Sequence, residues 1–227
     1  MKIKEFFKNC FLTRWMYLVY RRIKYRNLEE IKENMKAKGN ETVFFIENTL
    51  SGKAFFYFDM GTMLGIVREG RLLGHDLDID VAVYTSSEDE KDRVRNILLD
   101  TGCKLRYSYY VKELGVVEDS FEINGLKFDV NYYVRESDKD VCYLMYRDNE
   151  KSYEENEMDV VKLSVSAINE VKKVDFFGKQ VTVPKEAELY LAERYGDNWR
   201  IPNKNYVYWQ GPSTNKTNYI GFQRKGE

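Results

Sequence analysis

The chain has 227 residues, of which 43% are hydrophobic, so it is long enough for one domain with a substantial core and wholesale disorder is excluded. Its 36 basic and 37 acidic residues nearly cancel, which removes any overall attraction to nucleic acid. Three widely spaced cysteines argue against structural zinc and disulfides, as in a reducing cytoplasm, and the single histidine, His75, lacks the serine or cysteine motif of a nucleophilic hydrolase.

The first segment, residues 1–26, is strongly basic. It carries eight lysines and arginines against one acid, Glu5, and its apolar residues recur at spacings of three and four. This pattern predicts a basic amphipathic helix; its apolar run is too short for a membrane span, and no cleavage site of a signal peptide follows. Two interpretations stay open. The helix lies on an anionic membrane surface, or it packs on the domain with its cations in water.

The following residues predict helices and strands in turn. Asn27 and Gly39 are a helix cap and a helix stop, Gly70 and Gly102 end later helices, and Asn124-Gly125 is a hairpin turn. The predicted helices cover residues 27–38, 41–50, 61–69, 87–99 and 186–195, and the predicted strands cover 54–59, 78–84, 104–111, 117–123, 126–134, 141–146 and a hairpin within 171–183. From Asp197 the sequence predicts an ordered loop and then a loose end.

Three aspartates occupy alternate positions of one short segment, at Asp76, Asp78 and Asp80. Side chains alternate along a strand, so these carboxylates share one side and repel each other unless a cation lies between them. Their hard oxygen atoms suit Mg²⁺ or Mn²⁺. An EF-hand is excluded because its sixth and twelfth positions hold Val81 and Ser87. The alternative is a solvated acidic strand edge.

Two further groups complete the predicted site. Gly61-Thr62 follows an apolar strand and opens a helix, whose free N–H groups suit a phosphate, and Arg68 lies two turns further along. An ion pair at the surface is the alternative role for Arg68. Asp129 lies within an apolar strand, where a lone acid is costly unless it has a partner, and a metal shared with Asp78 and Asp80 would supply one.

These motifs resemble those of the LicD/fukutin family. The stretch GTMLGIVREGRLLGHDLDIDV over residues 61–81 is similar to that family's GTLLGxxRxxxFIPWDxDIDI. The ending agrees as well, with Phe177-Gly178, Val183-Pro184, ELYL at 188–191 and YGDNW at 195–199. The family's tryptophan before the acids is His75 here and an acid often found between the first two aspartates is Leu77, so the substrate surface beside the site is expected to differ.

The resemblance implies an α+β fold, a nucleotidyltransferase-like mixed sheet flanked by helices, spanning residues 27–202 between the basic helix and an aromatic tail over 203–227. It also implies transfer of a phospho-alcohol from a CDP-linked donor to a hydroxyl of a cell-surface or lipid-linked glycan such as lipopolysaccharide or capsule, with release of CMP. Mg²⁺ or Mn²⁺ would be held by Asp78, Asp80 and Asp129. Asp76 or Asp129 would accept the hydroxyl proton, with His75 at the rim.

The site residues leave two other hypotheses open. The same glycine and acid motifs would serve a nucleotidyltransferase that moves a nucleoside monophosphate from a triphosphate to a small molecule or protein. A non-catalytic module that binds nucleotide or glycan is the third, although four retained acids argue against it. The aromatic residues Trp199, Tyr206, Tyr208 and Trp209 could stack on sugar rings or serve in packing. The expected location is the cytoplasm, and peripheral contact of residues 1–26 with the inner face of the membrane stays open.

Overall fold

The computed structural model describes residues 11–148 and 150–226, and it describes side chains from residue 28 onward. Its helices are α1 (Phe11–Leu50), α2 (Met60–Leu64, continued by a π-helical turn over Gly65–Glu69), α3 (Glu88–Asp100) and α4 (Ala187–Tyr195). Its strands are β1 (Phe56–Phe58), β2 (Ile79–Tyr84), β3 (Lys104–Val111), β4 (Gly115–Ile123), β5 (Leu126–Glu136), β6 (Lys139–Tyr146), β7 (Glu157–Ser166), β8 (Val171–Phe176), β9 (Lys179–Pro184) and β10 (Thr214–Lys225).

Six strands close into a barrel in the order β5-β4-β3-β10-β7-β6, because β6 pairs back onto the far end of β5. The predicted fold class, a mixed sheet flanked by helices, is therefore wrong: the chain is mostly antiparallel β-structure with few helices. Among the described strands, the parallel pairing of β2 with β5 is the exception, and β1 adds to the outer edge of β2. The strands β8 and β9 form a separate hairpin.

The error in the fold class has a local cause, because two of the barrel strands were not predicted. No helix or strand was predicted for the residues of β7, and β10 lies in the stretch that was predicted to be a loose end. Most side chains of β10 are polar and at least partly exposed, so its sequence lacks an apolar face. It is held by backbone pairing with β3 on one side and β7 on the other, and such pairing leaves little trace in hydrophobic periodicity.

The helix α1 also differs from the prediction. It runs without a break through Asn27 and Gly39, where a start and a stop were predicted, and it crosses the boundary placed at residue 26. Gly39 serves packing, since a Cβ there would lie 2.7 Å from Leu72 Cδ1 and 3.0 Å from Met35 Sδ. Residues 1–10 of the predicted amphipathic helix lie outside the described residues. None of the described helices has an apolar stretch sufficient to cross a bilayer.

The two faces of the β2–β5 sheet differ in chemistry. Ile79, Val81, Phe128 and Val130 belong to the buried core. Asp78, Asp80 and Asp129 have the opposite parity and point away from that core. The predicted turn at Asn124-Gly125 is confirmed, with φ values of 55° and 79°. The fold thus presents a row of acids on one side of an otherwise apolar pair of strands.

Candidate active site

A cavity of about 1410 Å³ lies beside this row of acids, and we call it the main cavity. Several residues of the segment 194–208, which we call the C-terminal wall, also line it. All but one of the residues predicted for the site line this cavity; the exception is Thr62. The residues that do are Gly61, Arg68, His75, Asp76, Asp78, Asp80 and Asp129.

The parallel pairing of β2 with β5 brings the distant acid Asp129 to the motif. Asp80 and Asp129 are direct partners in the register of the two strands, although they are far apart in sequence. Asp78 lies one step before β2, on the same side as Asp80. The alternation predicted for the sequence therefore produces a three-acid face, in which one member comes from a different strand.

A lysine that the sequence analysis did not consider lies within this face. Lys127 Nζ donates to Asp129 Oδ2 at 2.6 Å and to Asp78 Oδ2 at 3.2 Å, and so bridges the two acids. Lys127 and Asp129 are two residues apart on β5, so both side chains emerge on the same face. A cationic group thus lies between two of the carboxylates that were predicted to hold a metal.

The acids remain incompletely neutralised. Asp129 Oδ1 is buried without a hydrogen-bond partner in the described part of the chain. Burial raises the pKa of Asp80 well above its usual range, and the nearby carboxylates of Asp78 and Asp129 raise it further. Burial likewise raises the pKa of Asp129, although the ammonium group of Lys127 opposes this effect. The face therefore has negative charge and lone pairs to spare for a cation.

These oxygens fit a hard divalent cation by their chemistry. Asp78, Asp80 and Asp129 would be its ligands, with the unpartnered Asp129 Oδ1 as one donor. In the arrangement described, however, no three carboxylate, imidazole or thiolate side chains within residues 11–148 and 150–226 already converge closely enough to hold a metal ion. A cation at Asp78 and Asp129 would compete with Lys127 Nζ for the same two oxygens.

Two more polar side chains of the site were missed or left without a role. Glu118 on β4 lines the main cavity and pairs with Asn131 on β5, two residue pairs along from the Ser120–Asp129 pair. Burial, followed by the charge of Asp129, raises the pKa of Glu118 well above its usual range. The nitrogen Nδ2 of Asn131 is buried without a partner among the described residues. An acid directly after two valines in VVEDS was the available signal for Glu118.

Asp76 lies at the opposite edge of the acid row, against the glycine turn. A Cβ at Gly61 would lie 2.9 Å from Asp76 Oδ2, so the glycine makes room for this carboxylate. Burial and then the charge of Asp78 raise the pKa of Asp76 to about 7, against a smaller opposing effect of Arg68. His75 is far more exposed, and its Nε2 lies 3.8 Å from Asp76 Oδ1 at the rim.

The start of α2 is held within the fold. Asp59 is fully buried and caps the helix by accepting from the Met60 backbone N–H at 2.7 Å. The hydroxyl of Thr62 is also buried and accepts from the backbone N–H of Asp80 at 2.9 Å. Thr62 therefore fixes the beginning of β2 relative to α2, which positions the Asp80 side chain.

Arg68 connects the acid side of the cavity with the C-terminal wall. Its Nη1 donates to the carbonyl oxygen of Trp199 at 3.2 Å, and its Nη2 pairs with Glu69 Oε1 at 2.8 Å. Its Nε is buried without a partner in the described residues. Arg68 thus keeps one donor free while two others hold it in place.

Three of the four aromatic residues singled out from the sequence reach the main cavity: Trp199, Tyr206 and Tyr208. Trp199 is 5% exposed and belongs to the core, and the Tyr208 hydroxyl donates to the Met145 carbonyl at 2.6 Å. Trp209 instead stacks on Tyr146, with ring centroids 5.1 Å apart. Packing therefore occupies most of this surface, although its inner side borders the cavity.

Comparisons with known proteins match the part of the chain that carries the candidate site. A family model described as LicD/FKTN/FKRP, nucleotidyltransferase domain, matches residues 53–186, which include every acid of the candidate site. The ribitol-5-phosphate transferase FKTN of Homo sapiens is 24% identical over 170 residues, covering 73% of this chain and 33% of that protein. The FKTN proteins of Macaca fascicularis and Mus musculus are 23% and 22% identical over the same length.

The chain spans about a third of the length of the curated relatives that it matches. The family model, in contrast, covers more than half of the 227 residues, from the turn before β1 through β9. It therefore includes the glycine turn, the alternating acids on β2 and the distant acid on β5. On this match, the chain belongs to the LicD/FKTN/FKRP family.

Proposed function

We propose that this protein transfers a phospho-alcohol from a CDP-linked donor to a hydroxyl group of a glycan and releases CMP. The observation that carries the proposal is the meeting of Asp80 and Asp129, from separate strands, at one cavity with Asp78, Asp76 and Arg68. Because the matched FKTN proteins are ribitol-5-phosphate transferases, we propose ribitol phosphate as the first group to test.

The reaction would be a displacement at phosphorus. The acceptor hydroxyl oxygen attacks the phosphorus that carries the alcohol, and the bond from that phosphorus to the bridging oxygen breaks. CMP leaves with the electron pair of that bond, and the hydroxyl proton passes to a carboxylate. Asp76 suits this last role, because a general base works best with a pKa near the working pH and that of Asp76 is raised to about 7.

The remaining residues would bind and orient. Asp78, Asp80 and Asp129 would hold Mg²⁺ or Mn²⁺, which when bound would neutralise the charge on the diphosphate. The free Nε of Arg68 would donate to a non-bridging oxygen. Asn131 Nδ2 and the aromatic C-terminal wall would contact the uncharged parts of the ligands. The acceptor is proposed to be a cell-surface or lipid-linked glycan.

The test is to incubate the protein with Mg²⁺, a glycan acceptor and CDP-ribitol, CDP-glycerol or CDP-choline, and to measure CMP and the product mass. We expect CMP release with at least one donor. The double variant Asp78→Asn/Asp80→Asn should lose at least about a hundredfold in rate. The matched control is Asp89→Asn/Asp100→Asn, which removes two exposed carboxylates on α3.

Two results would contradict the proposal. One is consumption of a nucleoside triphosphate with release of pyrophosphate, which would assign nucleotidyl transfer to the same acids. The other is unchanged CMP release in the Asp78→Asn/Asp80→Asn protein, which would separate the acid face from the chemistry. Circular dichroism of both double variants shows whether a loss of rate reflects the site or the fold.

A further inference from the structure

An arginine buried in the C-terminal wall has no role in the chemistry described so far. Arg194 lies on α4, is 1% exposed, and is the largest of the fully buried side chains described. It also lines the main cavity, together with Asp80 and Asn131. A charged group this deep is costly unless an opposite charge or several hydrogen bonds compensate it.

The compensation within the protein is incomplete. Arg194 Nη2 donates to the carbonyl oxygen of Tyr208 at 3.1 Å, while Nε and Nη1 have no partner in the described part of the chain. The nearby acid Asp59 is already engaged, because its carboxylate accepts hydrogen bonds from Tyr133, Tyr190 and the Met60 backbone. Three N–H bonds of the guanidinium, one on Nε and two on Nη1, therefore lack an acceptor among the described residues.

The guanidinium is also held firmly in position. Its centre lies 5.7 Å and 5.8 Å from the ring centroids of Tyr195 and Tyr206. A Cβ at Gly211 would lie only 2.8 Å from Arg194 Nη1, so glycine leaves the space that this group occupies. A side chain fixed in this way loses little conformational entropy when it binds a ligand.

We propose that Arg194 is an anion-binding residue of the main cavity, and that it takes a phosphate oxygen of the ligand. The acids on β2 and β5 and the side chain of Arg194 line the same cavity. A diphosphate fits such a cavity because it can contact a cation held by the acids while it accepts from a guanidinium. That the anion is a phosphate rests on the proposed function; that an anion binds does not.

The probe is inorganic pyrophosphate, with orthophosphate and cytidine for comparison, titrated into the full chain with Mg²⁺ and followed by calorimetry. In Arg194→Met we expect pyrophosphate to bind about ten- to a hundredfold more weakly, as for the loss of hydrogen bonds to a charged group, and cytidine to bind as before. The matched control is Arg200→Met, which removes an exposed arginine that stacks on Trp199 outside the cavity lining.

Arg194→Lys serves if the methionine variant does not fold, because it keeps the buried charge and removes the two-pronged donor. We expect a severalfold loss of pyrophosphate affinity in it. In the unmodified protein, the ¹⁵Nε–¹H signal of Arg194 should shift on addition of pyrophosphate. Unchanged affinity in the folded variants, or an Arg194 signal that does not shift at saturation, overturns the inference.

These results are separable from the proposed function. If a CDP-alcohol is consumed but the Arg194 variants bind pyrophosphate normally, the proposed function stands and Arg194 has a structural role. If pyrophosphate binding depends on Arg194 but no CDP-alcohol is consumed, the anion site stands and the proposed reaction falls.

Discussion

Two buried acids on neighbouring strands of the barrel differ in their hydrogen-bond partners. Asp119 on β4 is fully buried and accepts from Ser108 Oγ at 2.6 Å, Tyr132 OH at 2.7 Å and Arg95 Nε at 2.9 Å. Asp129 on β5 is 7% exposed, but one of its oxygens has no partner among the described residues. Asp119 contributes to stability, whereas Asp129 lines the main cavity with one oxygen that lacks a hydrogen bond to the described residues.

The largest expected effect separates these two acids. Asp119→Ala should lower the free energy of unfolding by about 3 to 5 kcal/mol, because it leaves the Nε of Arg95 and two buried hydroxyls without their acceptor. Asp129→Asn should change it by about 1 kcal/mol or less while reducing CMP release at least about a hundredfold. Urea unfolding and the transfer assay measure the two quantities. If both variants lose stability alike, the distinction between the two acids fails.

The second effect concerns Asp76, whose pKa is raised to about 7. A raised carboxyl pKa means that the folded state binds the proton more tightly than the unfolded state, so stability is full below about pH 4 and falls as the pH rises to about 7. In the metal-free protein, the free energy of unfolding should fall by about 3 kcal/mol over this range. This figure includes a reduction for solvent screening, because the side chain of Asp76 is 18% exposed.

The measurement is urea unfolding between pH 4 and 8 in the presence of a chelator. Asp76→Asn should make the decline smaller by the share that Asp76 contributes, while the raised pKa values of Asp80, Asp129 and Glu118 maintain the rest, and the matched variant Asp100→Asn, at an exposed position on α3, should keep the whole decline. A decline of the same size in Asp76→Asn would show that other acids of the cavity cause it.

The smallest effect tests Lys127, whose Nζ lies between Asp78 and Asp129. Replacing it by methionine removes the competitor for these oxygens, so Mg²⁺ or Mn²⁺ should bind about tenfold more tightly. Calorimetric titration of metal into Lys127→Met measures this, with Lys104→Met, at an exposed position on β3, as the control. Weaker metal binding in Lys127→Met would mean that the lysine supports the site.

Sequence periodicity was sufficient for the parts of the molecule that alternate clearly. It gave the strand β2 and the turn at Asn124-Gly125, and it gave the parity that puts Asp78, Asp80 and Asp129 on one side. It could not identify Lys127 as a residue of the site, because a lysine beside an acid on a strand has the pattern of an ordinary surface residue. Only the pairing of β2 with β5 shows that this lysine reaches Asp78.

Arg194 and Glu118 show the same limit. Arg194 reads as one more charged residue near the end of a helix, and its burial depends on Tyr206 and Gly211 folding back over it. The barrel was missed for a related reason, since closing it requires β10, whose side chains carry no apolar pattern. Features that depend on the pairing of residues far apart in sequence cannot be predicted from local composition.

The pairing of β10 with β3 has a consequence for biosynthesis. Arg224 lies opposite Ser108 in this register, so more than a hundred residues separate partners in one ladder. During translation, β3 emerges long before β10 exists and its edge stays open, a state that invites pairing with other chains. The strand β10 also follows the C-terminal wall in the sequence. The cavity can therefore take its final shape only after synthesis has passed residue 225, which makes closure of the barrel the last step in assembling the site.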